Sequence, residues 1–507
     1  MTGDTLLTLL PFLIVVALAL AIILIDLFLP DHDDLIMAVG VGGLVIALVA
    51  ALAIGPLPWD MGYFAAPASI GEPALYTRDL MTSLLDLAFI SIGLLTLLFA
   101  PDYLVPRKLP LPEFAATLLF AISGGMLIAG GQDLLVLFIG LELLVLPGYL
   151  LAGFAKRDGL STEGAIKYFL LGSFSSAILL FGLAFVLGFT GSTQVSDIAA
   201  SLGAIFDGSK PLPLALAMGL AMLTVGVLFK IAAVPFHYWT PDAYQGSPTP
   251  VTGYLSVGPK IAAFALILRI FVEALEPLRG EWALVVGVLA AVTMTVGNLA
   301  ALGQDNIKRM LAYSSIAHTG YIMVGLVVFA TAEDPEVAAS GIQGVLFYSV
   351  AYAFMNLGAF AVVAALQRRP GVTSQLATFA GLGYRAAVPA LLMTVFLLSL
   401  TGIPPLAGFF AKAIVVLSAL EVGGNMTLLA VIMMLNAAMA AFYYLRVVVY
   451  MYMRQPADEA APVSIGWYTR VGLWLAAAAT ILIGLFPAVT GAILEWTEAA
   501  AVALTRL

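Results

Sequence analysis

The 507 residues are 62% hydrophobic and 10% charged, with a net charge of -9 and a mean hydropathy of +1.07. Those values exclude a soluble domain of this size, and the long continuously apolar segments exclude a β-barrel, whose strands alternate apolar and polar residues. No basic patch supports nucleic-acid binding, and the absence of cysteine removes disulfides, thiolate chemistry and cysteine-ligated iron–sulfur clusters.

A helix needs about 20 apolar residues to cross the hydrocarbon core. The pattern predicts an all-α polytopic membrane protein with about fourteen transmembrane helices. They are placed at 7–29, 35–58, 81–101, 112–129, 132–153, 162–189, 212–235, 249–275, 282–303, 311–331, 342–366, 387–416, 425–453 and 467–497. The first segment lacks a basic leader and a clear small-residue cleavage site, so it reads as a retained helix. The longest polar connections run from Trp59 to Asp79 and from Gly191 to Lys210.

Loop charge supports this count. With the N-terminus outside, the inward connections hold Arg107, Lys108, Lys156, Arg157, Lys308, Arg309, Arg368, Arg369, Arg385 and Arg454. The outward side holds only Arg78, Lys210, Arg279 and Arg506. This asymmetry follows the positive-inside rule and places both termini on the outer face.

Two segments are interrupted in related ways. In VGVLFKIAAVPFHYWTPDAY, Lys230 precedes Pro235; in LLSLTGIPPLAGFFAKAIVV, Pro404 and Pro405 precede Lys412. Proline removes a backbone donor and frees a carbonyl one turn earlier, and broken helices of this kind line polar cavities in transporters built from inverted repeats. The spacing of 169 to 170 residues between the breaks fits two inverted five-helix repeats, 112–275 and 282–453. A three-helix region, 1–111, precedes them and a C-terminal transmembrane region, 454–507, follows.

Charges within apolar helices are expensive and mark polar paths or buried pairs. Glu142 lies in DLLVLFIGLELLVLPGYL, and Lys167 lies on the next helix. Each is about ten positions from the AKRDG turn, so the spacing predicts a Glu142–Lys167 ion pair, with a static helix tie as the structural alternative. Lys230 has no local acid partner and is a candidate central protonatable site; snorkelling is its rival. Lys260, beside Pro259, shares a polar half-helix with Thr249, Thr252, Tyr254 and Ser256. Lys412 follows the second break and could gate exchange with one surface. His237 and His318 are possible proton relays, or simply helix–helix hydrogen bonders. Asp133, Asp242 and Asp305 read as loop or helix-end groups, and Asp26 and Asp86 as weaker relay candidates. Trp59, Tyr443 and Tyr444 read as interface anchors or packing residues. The glycines of AISGGMLIAG read as close helix packing. No phosphate loop, dinucleotide fingerprint or metal-ligand cluster is present in the sequence. The three histidines, His32, His237 and His318, are too dispersed to support a haem or metal centre.

The stretch KIAAVPFHYWTPDAYQGSPTPVTGYLSVGPK, residues 230–260, resembles the antiporter-like subunits of respiratory NADH–quinone oxidoreductase. DNIKRMLAYSSIAHTGY, 305–321, and TGIPPLAGFFAK, 401–412, extend the likeness over nearly the whole chain. Lysine at position 412, where the M branch typically has glutamate, favours the subunit N branch, and the absence of a long lateral helix argues against the L branch. The resemblance implies proton translocation along Glu142, Lys167, Lys230, Lys260 and Lys412. It places NADH, FMN, iron–sulfur clusters and quinone in other subunits, with no cofactor bound by this chain. It also implies membrane and peripheral partner subunits, including antiporter-like sisters, in a bacterial inner membrane. The alternatives are a subunit of a multisubunit sodium/proton antiporter, a mainly structural membrane subunit, and a hydrogenase- or ferredoxin-linked relative.

Overall fold

The computed structural model describes residues 3–59, 63–64, 68–206, 211–456 and 463–505. Lys210 and Arg506, counted above among the outward charges, lie outside these residues.

The chain opens with α1 (Gly3–Phe28) and α2 (Asp33–Ile54), then a small antiparallel hairpin of β1 (Ala68–Ile70) and β2 (Tyr76–Arg78). Next come α3 (Leu80–Leu104), α4 (Leu111–Gly130), α5 (Leu134–Ala152), α6 (Gly159–Thr190) and the short α7 (Val195–Ile205). The first broken segment is α8 (Leu214–Lys230) and α9 (Trp239–Gly246). It leads into α10 (Thr249–Ile267), which widens into a π-helical stretch at Leu268–Ala274. Then follow α11 (Arg279–Leu302), α12 (Ile307–Thr331), α13 (Pro335–Leu366) and the single turn α14 (Leu382–Arg385). The second broken segment is α15 (Ala387–Thr401) and α16 (Ala407–Val422). The chain continues through α17 (Gly424–Met453), α18 (Trp467–Leu485) and α19 (Pro487–Thr505).

Among the described residues, 12 helices are long and apolar enough to cross a membrane. The segments expected as single helices at 212–235 and 387–416 are instead each divided in two. The last segment divides as well, with Pro487 opening α19, where its missing N–H removes no helix bond. Two connections expected to be loops carry structure: the hairpin lies within 59–79, and α7 lies within 191–210. α7 buries Val195, Ile198 and Leu202, a spacing that makes one apolar face on a helix too short to span.

Packing sorts the helices by burial. α10, α12 and α13 are enclosed along nearly their whole length. α1, α2, α6, α11 and α17 form the periphery and turn large apolar side chains outward, such as Leu27, Phe174, Leu284 and Leu435. That exterior suits hydrocarbon. Polar side chains collect in the interior instead, where backbone and side-chain partners can satisfy them. Glycines bring helix backbones together at corresponding places. A Cβ on Gly124 would lie 2.4 Å from Leu144 N, joining α4 to α5, and one on Gly320 would lie 2.6 Å from Met294 N, joining α12 to α11.

The two ends of the bundle differ. One end is basic. There Arg107 donates to Gln367 O at 2.6 Å, Ile307 N donates to Ser374 O at 2.8 Å, and Gly466 N donates to Asp102 at 2.6 Å. At the other end the hairpin covers the start of α5: Gln132 N donates to Leu75 O at 3.0 Å and Leu134 N to Thr193 O at 2.8 Å.

Candidate functional site

The first break frees backbone groups of α8, and neighbouring helices satisfy them. Val234 N donates to Thr293 Oγ1 at 3.0 Å, and Thr319 Oγ1 donates to Ile231 O at 2.8 Å. Ala232 adopts a left-handed φ of 58° within the turn. Lys230, the last residue of α8, is 8% exposed and reaches across to α6, donating to Ser176 Oγ at 2.8 Å and Gly172 O at 3.4 Å. A small cavity beside it is lined by Leu141, Leu144 and Val145 of α5 and by Trp239 of α9.

Glu142 lies on α5, whose Leu141, Leu144 and Val145 line that cavity beside Lys230. Its Oε1 is buried and accepts no hydrogen bond. The expected Glu142–Lys167 pair does not form. Lys167 binds Glu163 at 2.5 Å and Asp242 at 2.7 Å, and its side chain is 42% exposed. A residue count from the turn does not contain the rotation of α5 and α6 about their axes, and the packing of α6 turns Lys167 toward α9. Asp242, expected to be a mere helix-end group, is a hub: its other oxygen accepts from Arg309 at 2.7 Å. Lys308 adds two bonds to the same element, to Gln245 O at 3.1 Å and Ser247 O at 2.5 Å. Three cations from α6 and α12 therefore fasten α9 at the basic end.

Lys260 is 3% exposed in the middle of α10 and donates to both Ser315 O and Ser315 Oγ of α12, the latter at 2.6 Å. Its ammonium lies 5.5 Å from the Tyr352 ring centre, a cation–π distance. One turn along α12, His318 is fully buried between Ser315, which holds Lys260, and Tyr321, whose ring Lys412 approaches. Tyr348 Oη is 2.7 Å from its Nδ1 and Tyr444 Oη is 3.1 Å from its Nε2. Tyr444 also bonds Ser314, and Tyr443 donates to Asn298 Oδ1 at 2.9 Å. Asn298 in turn donates to Tyr321 Oη at 2.7 Å.

The second break is closed by Lys412 itself. Its Nζ donates to Leu400 O at 2.9 Å and Thr401 O at 2.7 Å, the carbonyls that α15 leaves open where it ends. It lies 5.2 Å from the Tyr321 ring centre. Pro404 and Pro405 occupy the turn between α15 and α16, as Pro235 occupies the turn after α8.

The structure thus brings Lys260, His318 and Lys412 into one polar interior, with Glu142 and Lys230 in the neighbouring half. It sets Lys167 apart at the basic end. His237 stacks on Tyr238 at 4.6 Å, and its buried Nδ1 has no hydrogen-bond partner among the described residues. Tyr443 and Tyr444, read as interface anchors or packing residues, are fully buried, and their hydroxyls join the network around His318 and Asn298. The signal that could have found the network is tyrosine at helical spacing, Tyr348 and Tyr352, facing the serine- and histidine-bearing side of α12.

A profile of the family described as NADH:quinone oxidoreductase/Mrp antiporter, TM, matches residues 131–439. NADH-quinone oxidoreductase subunit N 1 of Koribacter versatilis is 42% identical over 495 residues, 97% of this chain and 94% of that protein. The chain belongs to the NADH:quinone oxidoreductase/Mrp antiporter family. Subunit N of Chloroflexus aggregans is 40% identical over 487 residues, 96% of this chain and 95% of that protein. A chain of respiratory complex I from Thermus thermophilus with bound aureothin matches at 31% identity and TM-score 0.75, over 95% of this chain and 98% of its own. A chain of the Mrp complex from Dietzia sp. shares the fold, with TM-score 0.82 at 21% identity over 100% of this chain and 98% of its own. The sequence has no cysteine, and the described residues include no group of three potential metal ligands.

Proposed function

We propose that this chain is the proton-translocating subunit N of a bacterial NADH–quinone oxidoreductase, seated in the inner membrane beside antiporter-like sister subunits. The observation that carries the reading is that three lysines buried in the bundle interior, Lys230, Lys260 and Lys412, have no acidic partner in a salt bridge among the described residues; Lys308, buried likewise, is at the basic end, where it holds the end of α9. Each ammonium is held by neutral oxygens alone. A lysine so placed can exchange its proton without breaking an ion pair.

The electron carriers, NADH, FMN, iron–sulfur clusters and quinone, belong to partner subunits. Redox-driven changes there alter the charge at Glu142, and a changed charge beside Lys230 alters the free energy of its ammonium. Protons enter from the inner, basic end, pass Lys260 and His318, and reach Lys412. A neutral His318 accepts at one ring nitrogen while donating at the other, so its two tyrosine contacts suit a relay. The basic end faces inward and both termini face outward, which follows from the concentration of Arg107, Lys308, Arg309 and Arg368 at one end. The corresponding breaks, α8/α9 and α15/α16, support two inverted five-helix units at 112–275 and 282–453, flanked by 1–111 and 454–507. Lys167 acts through Asp242 on the position of α9, and the turns at Pro235, Pro404 and Pro405 open the two half-helix gaps.

The test is purification with native partners, followed by reconstitution into vesicles and parallel recording of NADH–quinone electron transfer and proton uptake. A flavin- and iron–sulfur-containing assembly that acidifies the vesicle lumen supports the reading. An assembly of membrane subunits alone, with sodium-dependent exchange, would replace it with a secondary antiporter.

A further inference from the structure

A second set of buried charges lies at the hairpin end, away from the lysines. Arg269, fully buried at the π-helical end of α10, donates to Asp79 at 2.7 Å and to Glu273 at 2.7 Å. It also donates to Ala129 O of α4. Asp79 caps α3 through Thr82 N at 2.8 Å. Nearby, Arg78 of β2 pairs with Asp86 of α3 at 2.8 Å, both side chains being 0% exposed. Arg78 and Asp79 are consecutive residues immediately before α3, so the two ion-paired sets meet there and the five groups form one electrostatic unit.

Two guanidinium groups therefore face three carboxyl groups. With every group ionised, the unit carries one uncompensated negative charge in a site where every side chain but that of Asp79, 16% exposed, is buried. An isolated buried charge is disfavoured strongly enough that a group neutralises instead. Binding one proton removes the excess. Arginine stays charged at any accessible pH, so the proton resides on a carboxyl group. A second observation points the same way. Five buried polar atoms of this region have no hydrogen-bond partner: Tyr76 Oη, Arg78 Nε and Nη2, Ser83 Oγ and Asp86 Oδ1. Buried donors and acceptors left open by the protein are completed by ordered water. The cluster also has a short way out. Glu273 Oε2 accepts from Gln132 at 3.4 Å, and Gln132 is only half-buried beneath the hairpin.

Neighbouring charges do not supply the missing cation. Asp133 is occupied by Leu135 N, Thr193 and Gln194. On α7, Asp197 bonds Ser192, and after the π-helical stretch Glu276 pairs with Arg279 at 3.7 Å. Glu495 and Glu498 of α19 are exposed.

We propose that Asp79, Asp86 and Glu273, with Arg78 and Arg269, form a proton-binding site that holds one exchangeable proton at neutral pH and trades it with the aqueous phase at the hairpin end. The proton leaves a carboxylic O–H for water and the carboxylate remains. A later proton from water restores the acid. Only the description of that phase as the outer one, and of the site as an outlet, rests on the translocation reading above.

The test is infrared difference spectroscopy of the intact assembled complex, titrated with pH in H2O and D2O. The wild type should show a buried carboxylic C=O band that shifts in D2O. Glu273→Gln, Asp79→Asn or Asp86→Asn each removes one negative charge, so the two remaining carboxyl groups balance the two arginines and the band should disappear. Three separate amide variants keep the test open if one fails to assemble. A wild type lacking the band, or a band that survives in every assembled amide variant, would overturn the proposal. The Lys230→Ala complex is the control. It should keep the band, so unchanged pumping in that complex would count against the translocation reading without touching the site.

Discussion

Lys412 closes the open end of α15 by donating to Thr401 O at 2.7 Å, so the residue read from the sequence as a proton carrier is also a helix cap. The two roles can be separated. Lys412→Met leaves the carbonyls of Leu400 and Thr401 without their donor, at a cost of about 1–3 kcal/mol. Hydrogen exchange across 402–406 should rise, and pumping should fall. Lys412→Gln keeps a donor and loses the charge. It should restore most of the protection without restoring pumping, and parallel recovery of both would show that capping alone matters.

The first break rests on two threonines. Thr319→Val removes the donor to Ile231 O, and Thr293→Val removes the acceptor for Val234 N. Each should destabilise the subunit by about 1–3 kcal/mol, because a buried backbone group is left unpaired. Thermal unfolding of the assembled complex should show the effect, whereas equivalent substitution at Thr117, which bonds only within its own helix on an exposed face, should be nearly silent.

Asp242 links Lys167 and Arg309, so its loss breaks both ion pairs to α9, leaving Lys167 to Glu163 and Arg309 to Gln245, while loss of Lys167 leaves the Arg309–Asp242 bond intact. Asp242→Asn should therefore impair pumping more than Lys167→Ala, with Lys167→Ala milder than any substitution at Lys230. Proton uptake by vesicles at fixed NADH turnover gives the order, and a Lys167→Ala defect equal to that of Lys230→Ala would contradict it.

Tyr444 holds His318 Nε2 and Ser314 together. Tyr444→Phe preserves the ring in its buried position and removes only the hydroxyl. Assembly should persist while the pumping rate drops several-fold, consistent with the loss of one relay bond worth about 1 kcal/mol or somewhat more. Tyr103→Phe, at the basic end, should leave the rate unchanged.

The sequence carried the buried lysines plainly because a single charge in an apolar run stands out whatever surrounds it. The breaks at Pro235 and at Pro404 and Pro405 were equally visible, since proline interrupts a helix by its own chemistry. Pairing was less legible. Glu142 and Lys167 lie on consecutive helices as expected, but which way each faces is set by how α5, α6 and α9 pack, and a residue count does not contain that rotation. Tyr348, Tyr443 and Tyr444 were hidden for a related reason. A tyrosine in a membrane helix has the same local sequence whether it anchors at an interface or bonds a histidine. Asp79 lies far in the chain from Arg269 and Glu273, which are one helical turn apart, and only the meeting of α3 with the end of α10 joins them. The hairpin at 68–78 and helix α7 are short and were masked by glycine, proline and polar neighbours.

The central claim is that proton translocation runs through lysines held by neutral partners, and Lys230 tests it most directly. Lys230→Ala complexes should be assembled, reconstituted and assayed for protons moved per NADH oxidised. The account predicts an intact complex in which that ratio falls, with any remaining electron transfer less coupled. A fully assembled Lys230→Ala complex with the wild-type ratio at the wild-type turnover rate would contradict it.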